Sequence, residues 1–242
     1  MKSASNDSRI AVVLPTLNEA GTIGRLIMEI LSLNRRTRIY VVDDGSTDGT
    51  ASIVKGLTDD ASRLTLCERE RGSGLGAALR FGLRKALAED ENEVLVTMDA
   101  DYSHDPSDMQ KLLDVDADLV VGSRYIKNSV IVDWPFPRRL MSMTANWLAR
   151  TRLGINVRDV TSGYRAYSRE VAGLVISKST SDRFVFQMEA VWLAERAGFR
   201  VKEVPIRFSE RALGSSKLIP FREIRSTLSF LAHPARGAAA HT

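Results

Sequence analysis

Hydrophobic residues in the first half of the chain follow two alternating periods. Five short apolar runs, rich in β-branched residues, are each too short for a helix and nearly continuous in apolar character, as buried parallel strands are. They span residues 10–14, 39–42, 64–66, 94–98 and 119–121. The stretches 23–31 and 77–87 repeat apolar residues at helical spacing. This order predicts an α/β fold with a mostly parallel central sheet and helices on both faces, whose ligands lie beyond the carboxyl ends of the strands.

The second half of the chain is less regular. After Tyr125, residues 126–136 show neither period. Apolar residues further on predict a helix from about residue 140 to 153, another near 184–197, and a strand at 201–208. Because no linker or internal repeat separates the halves, we expect the second half to extend the same sheet.

These elements predict one domain over residues 10–218, with 10–122 and 123–218 as the two halves of a single unit. A polar N-terminus, residues 1–9, precedes it. An amphipathic helix and tail, residues 219–242, follow it. The apolar face of that helix has two open interpretations, because it can cover the sheet or bind a membrane surface.

Composition limits the class of protein. The 242 residues are 44% hydrophobic and 26% charged, which excludes disordered, collagen-like and disulfide-rich classes. The first nine residues are polar, no apolar run approaches the length of about 18 residues that spans a membrane, and the single Cys67 cannot form an internal disulfide. We therefore expect a soluble protein in a reducing cytosol, with attachment to a membrane surface left open.

Charge is distributed unevenly along the chain. The net charge is only +4, but residues 1–122 carry 14 basic and 21 acidic side chains, a net of −7. Residues 123–242 carry 20 basic and 9 acidic side chains, a net of +11. The candidate chemistry of the two halves offers an explanation.

Acidic and small polar residues gather where the first two predicted strands end. The segment Pro15-Thr16-Leu17-Asn18-Glu19 follows the first strand, and Asp43 and Asp44 end the second. A carboxylate at that edge can accept hydrogen bonds from a base ring or a ribose hydroxyl. We interpret Asp48, a few residues later, as a helix cap.

The fourth predicted strand ends in Asp99-Ala100-Asp101. In an extended stretch the two carboxylates would point the same way, and together they could hold a divalent cation such as Mg²⁺ or Mn²⁺. Such a pair at a strand end favours metal binding over a solvated turn. His104 is interpreted as a loop residue and not a ligand, because nothing supplies the other imidazoles of a zinc site.

A glycine-rich turn, Gly72-Ser73-Gly74-Leu75-Gly76, opens the predicted helix at 77–87. Its spacing matches neither the dinucleotide fingerprint nor the P-loop, which argues against a dehydrogenase and an NTPase. Two interpretations stay open: the backbone amides approach a phosphate, or the glycines allow close packing.

Basic residues of the second half also follow predicted strand ends. Arg124 follows the fifth strand, Arg138 precedes Ser142 by one helical turn, and Arg211 comes after the strand at 201–208. Guanidinium groups match phosphate oxygens in a bidentate manner. Arginines beside a metal and diphosphate site therefore indicate that a second phosphate is bound there.

Taken together, the motifs of this sequence resemble a known family. The resemblance rests on Pro15-Thr16-x-Asn18-Glu19, Asp43-Asp44-Gly45-Ser46-x-Asp48-Gly49-Thr50, Met98-Asp99-Ala100-Asp101-x-Ser103-His104, Gly122-Ser123-Arg124-Tyr125, Trp134-x-x-x-Arg138-Arg139-x-x-Ser142, Asp159-x-Thr161-x-Gly163-Tyr164-Arg165, Phe184-Val185-Phe186-Gln187-Met188-Glu189 and Arg211-x-x-Gly214-x-Ser216-Lys217. These motifs look like those of inverting family 2 glycosyltransferases with a GT-A fold. Within that family, the second-half motifs resemble the dolichol-phosphate (polyprenol-phosphate) mannosyltransferases.

The resemblance implies a role for each matching residue. A GDP-mannose donor would be bound by Pro15, Thr16, Asn18, Glu19, Asp44, Gly74, Asp99, Ala100, Asp101, Gln187 and Glu189. The metal would be held by Asp99, Asp101 and Ser103. The phosphate of a polyprenyl acceptor would be bound by Arg124, Arg138, Ser142, Arg211 and Lys217. Asp101 and the first four acceptor-phosphate residues would be the catalytic set.

The chemistry that this family implies agrees with the residues present. A lipid monophosphate has a second pKa near 6, is largely dianionic at neutral pH, and needs no general base to attack the anomeric carbon. Attack from the opposite face would turn an α-linked donor into polyprenyl phosphate β-mannose. Two alternatives stay open: a UDP-glucose or other UDP-hexose donor, and a non-catalytic protein that binds nucleotide sugars or serves as a membrane adaptor.

A lipid acceptor would also explain the apolar and aromatic segment from Val130 to Phe136, next to Arg138 and Arg139. We expect contact with the cytoplasmic face of a membrane, directly or through a membrane-spanning partner subunit, and no nucleic-acid partner. The acidic half would then be the donor side of one active site and the basic half its acceptor side.

Overall fold

The computed structural model of the protein describes residues 8–57, 63–70, 72, 74–210 and 220–234. Strands and helices alternate through these residues. In chain order they are β1 (Ile10–Thr16), α1 (Ile23–Leu33), β2 (Thr37–Asp43), α2 (Thr50–Gly56), β3 (Leu64–Glu68), α3 (Leu75–Leu87), β4 (Val94–Thr97), α4 (Met109–Leu113), β5 (Leu119–Ser123), β6 (Val130–Val132), α5 (Phe136–Leu153), β7 (Arg165–Ser168), α6 (Arg169–Lys178), α7 (Phe186–Arg196), β8 (Val201–Pro205), β9 (Arg207–Ser209) and α8 (Pro220–Ala232).

Seven strands form one sheet in the order β3-β2-β1-β4-β7-β5-β8. Every pairing is parallel except those that β7 makes with β4 and β5. The predicted extension of the sheet by the second half is confirmed. β1, β2, β4 and β5 all run in the same direction, so their carboxyl ends lie at one edge of the sheet. This is the edge where α/β folds bind their ligands.

Two hydrophobic layers cover the faces of the sheet, as the alternation of side chains along a strand requires. Ile10, Val12 and Leu14 pack on one face together with the predicted apolar stripe of α1, which is buried except for the half-buried Leu31 at its end. Ala11 and Val13 point to the other face, where α3, α6 and α7 pack.

β7 was not predicted, because its sequence, Arg-Ala-Tyr-Ser, contains no apolar run. All four residues are nevertheless buried in the middle of the sheet. The guanidinium of Arg165 donates from Nε to the carbonyl of Ser162 and from Nη2 to that of Val160, both at 2.9 Å. These hydrogen bonds offset part of the cost of burying a charged side chain.

The predicted strand at 201–208 is divided in two. β8 continues the main sheet, whereas β9 leaves it and pairs in parallel with β6 in a separate two-stranded sheet. β6 lies in the segment 126–136, where the sequence predicted no element. α5 starts at Phe136, just after Pro135, and ends at the left-handed Gly154 with φ of 68°. It is therefore about a turn longer than predicted.

The predicted amphipathic helix at the C-terminal end is α8. Leu231 is buried and Phe230 packs edge-on against Trp192, with ring centroids 6.0 Å apart. Ile224 and Leu228, on the same helix, are exposed. The helix therefore covers part of the fold and still presents an apolar strip to solvent. Among the helices in the described ranges, none combines the length and the apolar content needed to cross a bilayer.

Candidate active site

Asp43, at the end of β2, organises the first loop of the site. Its carboxylate accepts hydrogen bonds from the Thr16 hydroxyl at 3.1 Å, from the backbone N–H groups of Gly45 and Ser46 at 3.1 and 2.8 Å, and from the Ser46 hydroxyl at 2.6 Å. Thr16, predicted as a donor-binding residue, is thereby tied to the neighbouring strand. Asp43 therefore stabilises the backbone of the loop that follows it.

The loop after β1 is joined to the loop after β2. Asn18 has a left-handed backbone with φ of 54°, its amide oxygen accepts from the Thr47 N–H at 2.8 Å, and its own N–H donates to the Ser46 hydroxyl at 2.8 Å. The N–H of Glu19 donates to the Thr50 hydroxyl at 2.8 Å. Pro15, at the start of this segment, is half-buried. The hydrogen bonds between the two loops hold the predicted donor-binding segment in a fixed shape.

Asp44 is buried beside a basic residue that the sequence analysis did not select. One carboxylate oxygen accepts from the Gly74 N–H at 3.2 Å, and the other lies 3.5 Å from a terminal nitrogen of Arg69. Arg69 comes one residue after β3 and stacks over the ring of Phe81. Its position at the carboxyl end of a predicted strand was the feature of the sequence that could have identified it.

In the glycine-rich turn, the structure supports close packing as the reason for Gly74 and Gly76. A side chain at Gly74, whose φ is 89°, would collide with the carbonyl of Asp182, and one at Gly76 with the carbonyl of Ser181. The loop that contacts both glycines is itself held by Glu189, whose carboxylate accepts from the N–H groups of Thr180 and Ser181 at 3.0 and 2.9 Å. A donor-binding role for Gly74 and Glu189 stays a prediction.

The Asp99-Ala100-Asp101 triplet lies in a turn, because β4 ends at Thr97. The strand alternation that we used to align the two carboxylates therefore does not extend to them. Instead, the Thr22 hydroxyl donates to the carbonyl of Ala100 at 2.9 Å, and Asp101 accepts from the Ser103 N–H at 3.0 Å. These bonds fix the turn through its backbone.

Asp99 is packed against Gly163, a residue of the second-half motifs. A Cβ atom at position 163 would lie 2.9 Å from the Asp99 carboxylate, and the carbonyl of Gly163 accepts from the Thr97 hydroxyl at 2.8 Å. The side chain of Asp99 is 36% exposed, whereas Asp101 is only 3% exposed. Asp99 is thus the more accessible of the two carboxylates.

The chemistry of this pair fits a divalent cation that keeps outside ligands. Over the described residues, no group of three or more His, Cys, Asp or Glu side chains is arranged to hold a metal. Mg²⁺ is commonly held by one or two carboxylates and completes its shell with water and substrate phosphates. Asp99 and Asp101 suit that arrangement. Ser103 is buried, its carbonyl accepts from the Ser209 N–H at 3.0 Å, and its role as a ligand stays a prediction.

His104 is a buried loop residue, close to both acids. Its Nδ1 accepts a 3.4 Å hydrogen bond from the Asp99 N–H, and its ring packs on Tyr164 and Phe208 at centroid distances of 5.2 and 5.6 Å. Burial lowers the pKa of His104 to about 4, against an opposing effect of the Asp101 charge. The imidazole is therefore neutral at neutral pH.

This burial predicts a pH dependence of stability. The unfolded chain binds a proton at His104 below about pH 6.5, whereas the folded protein binds it only near pH 4. The stabilisation is complete above pH 6.5 and decreases by about 3 kcal/mol in total as the pH falls to 4. In urea unfolding across this window, His104→Gln should flatten the pH dependence, whereas exposed His233→Gln should leave it unchanged. Equal slopes for all three proteins would contradict the assignment.

Arg124, predicted to bind phosphate, is held by a buried ion pair. Its Nε and Nη2 donate to the two oxygens of Asp159, both at 2.7 Å, and its backbone N–H donates to the same carboxylate at 2.9 Å. The rings of Trp134 and Phe208 each lie 5.0 Å from the guanidinium carbon. Burial opposes the charge, but Asp159, with a smaller effect of Asp99, raises the pKa of Arg124.

Thr161 connects this ion pair to Ser142. Its hydroxyl oxygen accepts from Arg124 Nη2 at 2.6 Å and from the Asn146 amide at 3.1 Å, and it lies 3.3 Å from the Ser142 hydroxyl. Thr161 in turn donates to Asp159 at 3.1 Å. The structure thus brings two of the predicted acceptor-phosphate residues, Arg124 and Ser142, into one hydrogen-bonded cluster.

Of the other three predicted acceptor-phosphate residues, the structure describes only Arg138. Arg138 forms an ion pair with Glu210, whose backbone N–H donates to the carbonyl of Val132 at 3.1 Å. Arg211 and Lys217 lie outside the described residues.

Gln187, predicted to shape the sugar pocket, lies in the first turn of α7 and is buried. Neither its amide oxygen nor its amide nitrogen has a hydrogen-bond partner within the described ranges. Since buried polar groups are nearly always paired, these atoms are suited to a ligand or water.

Comparison with solved structures identifies the fold. Glucosyl-3-phosphoglycerate synthase of Mycobacterium tuberculosis, solved with Mn²⁺, UDP and glucosyl-3-phosphoglycerate, gives a TM-score of 0.64 at 24% identity over 96% of this chain and 80% of that one. Its complex with Mg²⁺ and UDP also gives 0.64, with the same identity and coverage. The fold is therefore GT-A, and the predicted fold class is confirmed.

Sequence comparison identifies the family. Residues 11–174 match the family described as glycosyl transferase family 2. Polyprenol monophosphomannose synthase of Mycolicibacterium smegmatis is 41% identical over 219 residues, which are 87% of this chain and 81% of that protein. Undecaprenyl-phosphate mannosyltransferase of Micrococcus luteus is 35% identical over 213 residues, 87% of either chain. The chain belongs to glycosyltransferase family 2, and the predicted enzyme class is confirmed.

Proposed function

We propose that the protein transfers mannose from GDP-mannose to a polyprenyl monophosphate with inversion, giving polyprenyl phosphate β-mannose. The observation that carries the proposal is the proximity of an acidic and a basic cluster at one sheet edge. His104, which accepts from the Asp99 N–H, packs on the Phe208 ring that also lies against the Arg124 guanidinium, and Arg124 shares Thr161 with Ser142. Two relatives whose names specify polyprenol-linked mannose transfer support the substrate class.

Acidic residues are proposed to bind the metal on the donor side, and basic residues to bind the acceptor phosphate. The joined loops after β1 and β2, with Asp44 and Arg69, form a rigid wall suited to the nucleoside. Asp99 and Asp101 would hold Mg²⁺ or Mn²⁺, which offsets negative charge on the diphosphate. Ser142 and Arg138 would bind the acceptor phosphate, with Arg124 fixed behind them by Asp159. Because that phosphate is already ionised, these residues position the nucleophile and need not remove a proton.

The surface of α5 supports a lipid acceptor. Phe136, Leu140, Met141 and Trp147 are exposed along this helix, and α8, which packs against α5, exposes its own apolar strip. An apolar and aromatic helical surface flanked by arginines is typical of proteins that lie on a membrane. We propose peripheral attachment at the cytoplasmic face, directly or through a membrane-spanning partner. Trp134, which the sequence analysis assigned to the membrane-facing segment, instead packs on Phe208 and Arg124.

The nature of the acceptor is tested with GDP-[¹⁴C]mannose in three reactions: with polyprenyl phosphate, with polyprenol that lacks the phosphate, and with polyprenyl phosphate plus a chelator. Labelled lipid is expected from the first reaction alone, and its sugar should be β-linked by NMR. Labelled lipid formed equally well from polyprenol, or an α-linked product, would contradict the proposal.

Replacement of Arg138 by alanine should affect the acceptor and spare the donor. Loss of one charged group that binds the attacking phosphate is expected to lower turnover by about 10²-fold. Binding of GDP, measured by calorimetry, should change by less than about twofold, since Arg138 contacts Glu210 and lies outside the nucleotide wall. Arg152→Ala, an exposed position on the same helix, serves as the control. Equal losses in turnover and GDP binding would show that Arg138 has another role.

A further inference from the structure

A second cationic site lies along α5, beside the cluster just described. A groove of about 620 Å³ runs between this helix and the segment that follows β5. Arg139 and Arg150 from α5 and Arg158 from the loop before β7 line it, and Arg124 forms part of its wall. Neither Asp99 nor Asp101 lines the groove, so it is separate from the proposed metal site.

Three arginines of this groove, Arg139, Arg150 and Arg158, form no ion pair among the described residues, whereas Arg124 is paired with Asp159. Arg139 and Arg150 are eleven positions apart, about three helical turns, so they project from the same side of α5. Along the described ranges, no carboxylate lies within ion-pair distance of the guanidinium groups of Arg139, Arg150 or Arg158, although Glu203 accepts from the Arg158 backbone N–H at 2.9 Å. Arginines elsewhere, such as Arg38 and Arg200, are paired. Like charges around a concave surface concentrate positive potential there, which favours an anionic ligand.

Apolar side chains line the groove together with the polar Ser129 and Asn146. Met143 and Trp147 lie on the same side of α5 as the two arginines, and Ile126 and Ile131 lie opposite. Trp147 is 62% exposed, at the apolar surface of α5 proposed to face the membrane. Cations next to apolar walls and an exposed tryptophan match a lipid headgroup with its glycerol and upper acyl chain better than a free, fully hydrated anion.

We propose that this groove binds the phosphate of an anionic membrane phospholipid that is not consumed in the reaction. The site goes beyond the proposed function, because it requires neither GDP-mannose nor a polyprenyl acceptor. Arg124 and Asn146 line the groove and both donate to the Thr161 hydroxyl, which lies 3.3 Å from that of Ser142, so the groove adjoins the acceptor cluster. Occupation of the groove would hold α5 at a fixed depth and keep the acceptor cluster at the lipid surface.

Vesicle binding with matched charge changes tests the site. Arg150→Gln/Arg158→Gln removes two groove arginines, and Arg84→Gln/Arg152→Gln removes two exposed arginines elsewhere. On phosphatidylcholine vesicles containing phosphatidylglycerol, the groove variant should bind at least about tenfold more weakly than wild type, and the control less than about twofold more weakly. Equal losses would assign the effect to diffuse surface charge, and no loss in the groove variant would exclude the site.

A soluble lipid tests the pocket without a membrane. Short-chain phosphatidylglycerol below its critical micelle concentration should change the fluorescence of Trp147 in a saturable way, and the change should be absent in Trp147→Phe and in the groove double variant. Inorganic phosphate at the same ionic strength should compete at least about tenfold more weakly. Equal affinity for inorganic phosphate would overturn the lipid assignment, and absence of any saturable change in wild type would overturn the site itself. Both experiments remain decisive if GDP-mannose is not the donor.

Discussion

Asp159→Asn should be among the most damaging single substitutions in this protein. Asp159 is fully buried and accepts three hydrogen bonds from Arg124, two of them from the guanidinium. The asparagine keeps the shape but leaves Arg124 as an uncompensated buried charge, which typically costs about 3–5 kcal/mol. We expect a loss of that size in the free energy of unfolding, measured in urea, together with loss of transfer.

Two controls separate the ion pair from general effects. Asp116→Asn breaks the pair with Arg200 in which both partners are exposed, and it should cost far less stability than Asp159→Asn, because solvent screens an exposed pair. Arg124→Met/Asp159→Leu replaces the buried pair by apolar side chains and should recover most of the stability without recovering activity. If Asp159→Asn costs no more than Asp116→Asn, the pair does not organise the acceptor cluster.

Substitution of the two carboxylates after β4 is expected to have the largest effect on catalysis. Asp99→Asn and Asp101→Asn keep the hydrogen bonds of the turn but remove the charge needed for a divalent cation. Each should lower turnover by at least about 10²–10³-fold, because stabilisation of the departing diphosphate is lost. Binding of Mn²⁺, followed by electron paramagnetic resonance in the presence of GDP, should weaken in parallel.

Asp105→Asn is the matched control for this pair. Asp105 lies in the same loop, but its carboxylate accepts from the N–H and hydroxyl of Ser107, at 2.9 and 2.6 Å. The variant should retain near-normal turnover and Mn²⁺ binding. Activity that survives both Asp101→Ala and chelation would exclude the proposed metal role.

The parts of the fold predicted from sequence are those with a local signal. The run at residues 10–14 and the stripe of α1 show their period directly, and both are buried except for the half-buried Leu31. β7 could not be found in this way, because Arg165 is accommodated by the carbonyls of Ser162 and Val160 and not by an apolar pattern. Its position between β4 and β5 is a property of the whole sheet.

The same limit applies to the candidate site. Asp99, Asp101 and Arg124 could be selected because each follows a strand that the sequence predicts. The partner of Arg124 could not, since Asp159 is 35 positions away and approaches it only in the folded chain. The groove of Arg139, Arg150 and Arg158 depends in turn on how α5 packs beside the segment after β5. The interpretation of the acidic and basic halves as donor and acceptor sides stays a prediction.

The choice of donor tests the central claim most directly. Purified protein with polyprenyl phosphate and Mg²⁺ or Mn²⁺ is supplied in parallel with radiolabelled GDP-mannose, UDP-glucose and UDP-N-acetylglucosamine, and labelled lipid is measured. We predict mannosyl lipid from GDP-mannose and at most a trace from either UDP-sugar. Sugar lipid formed only from a UDP-sugar would contradict the mannose assignment.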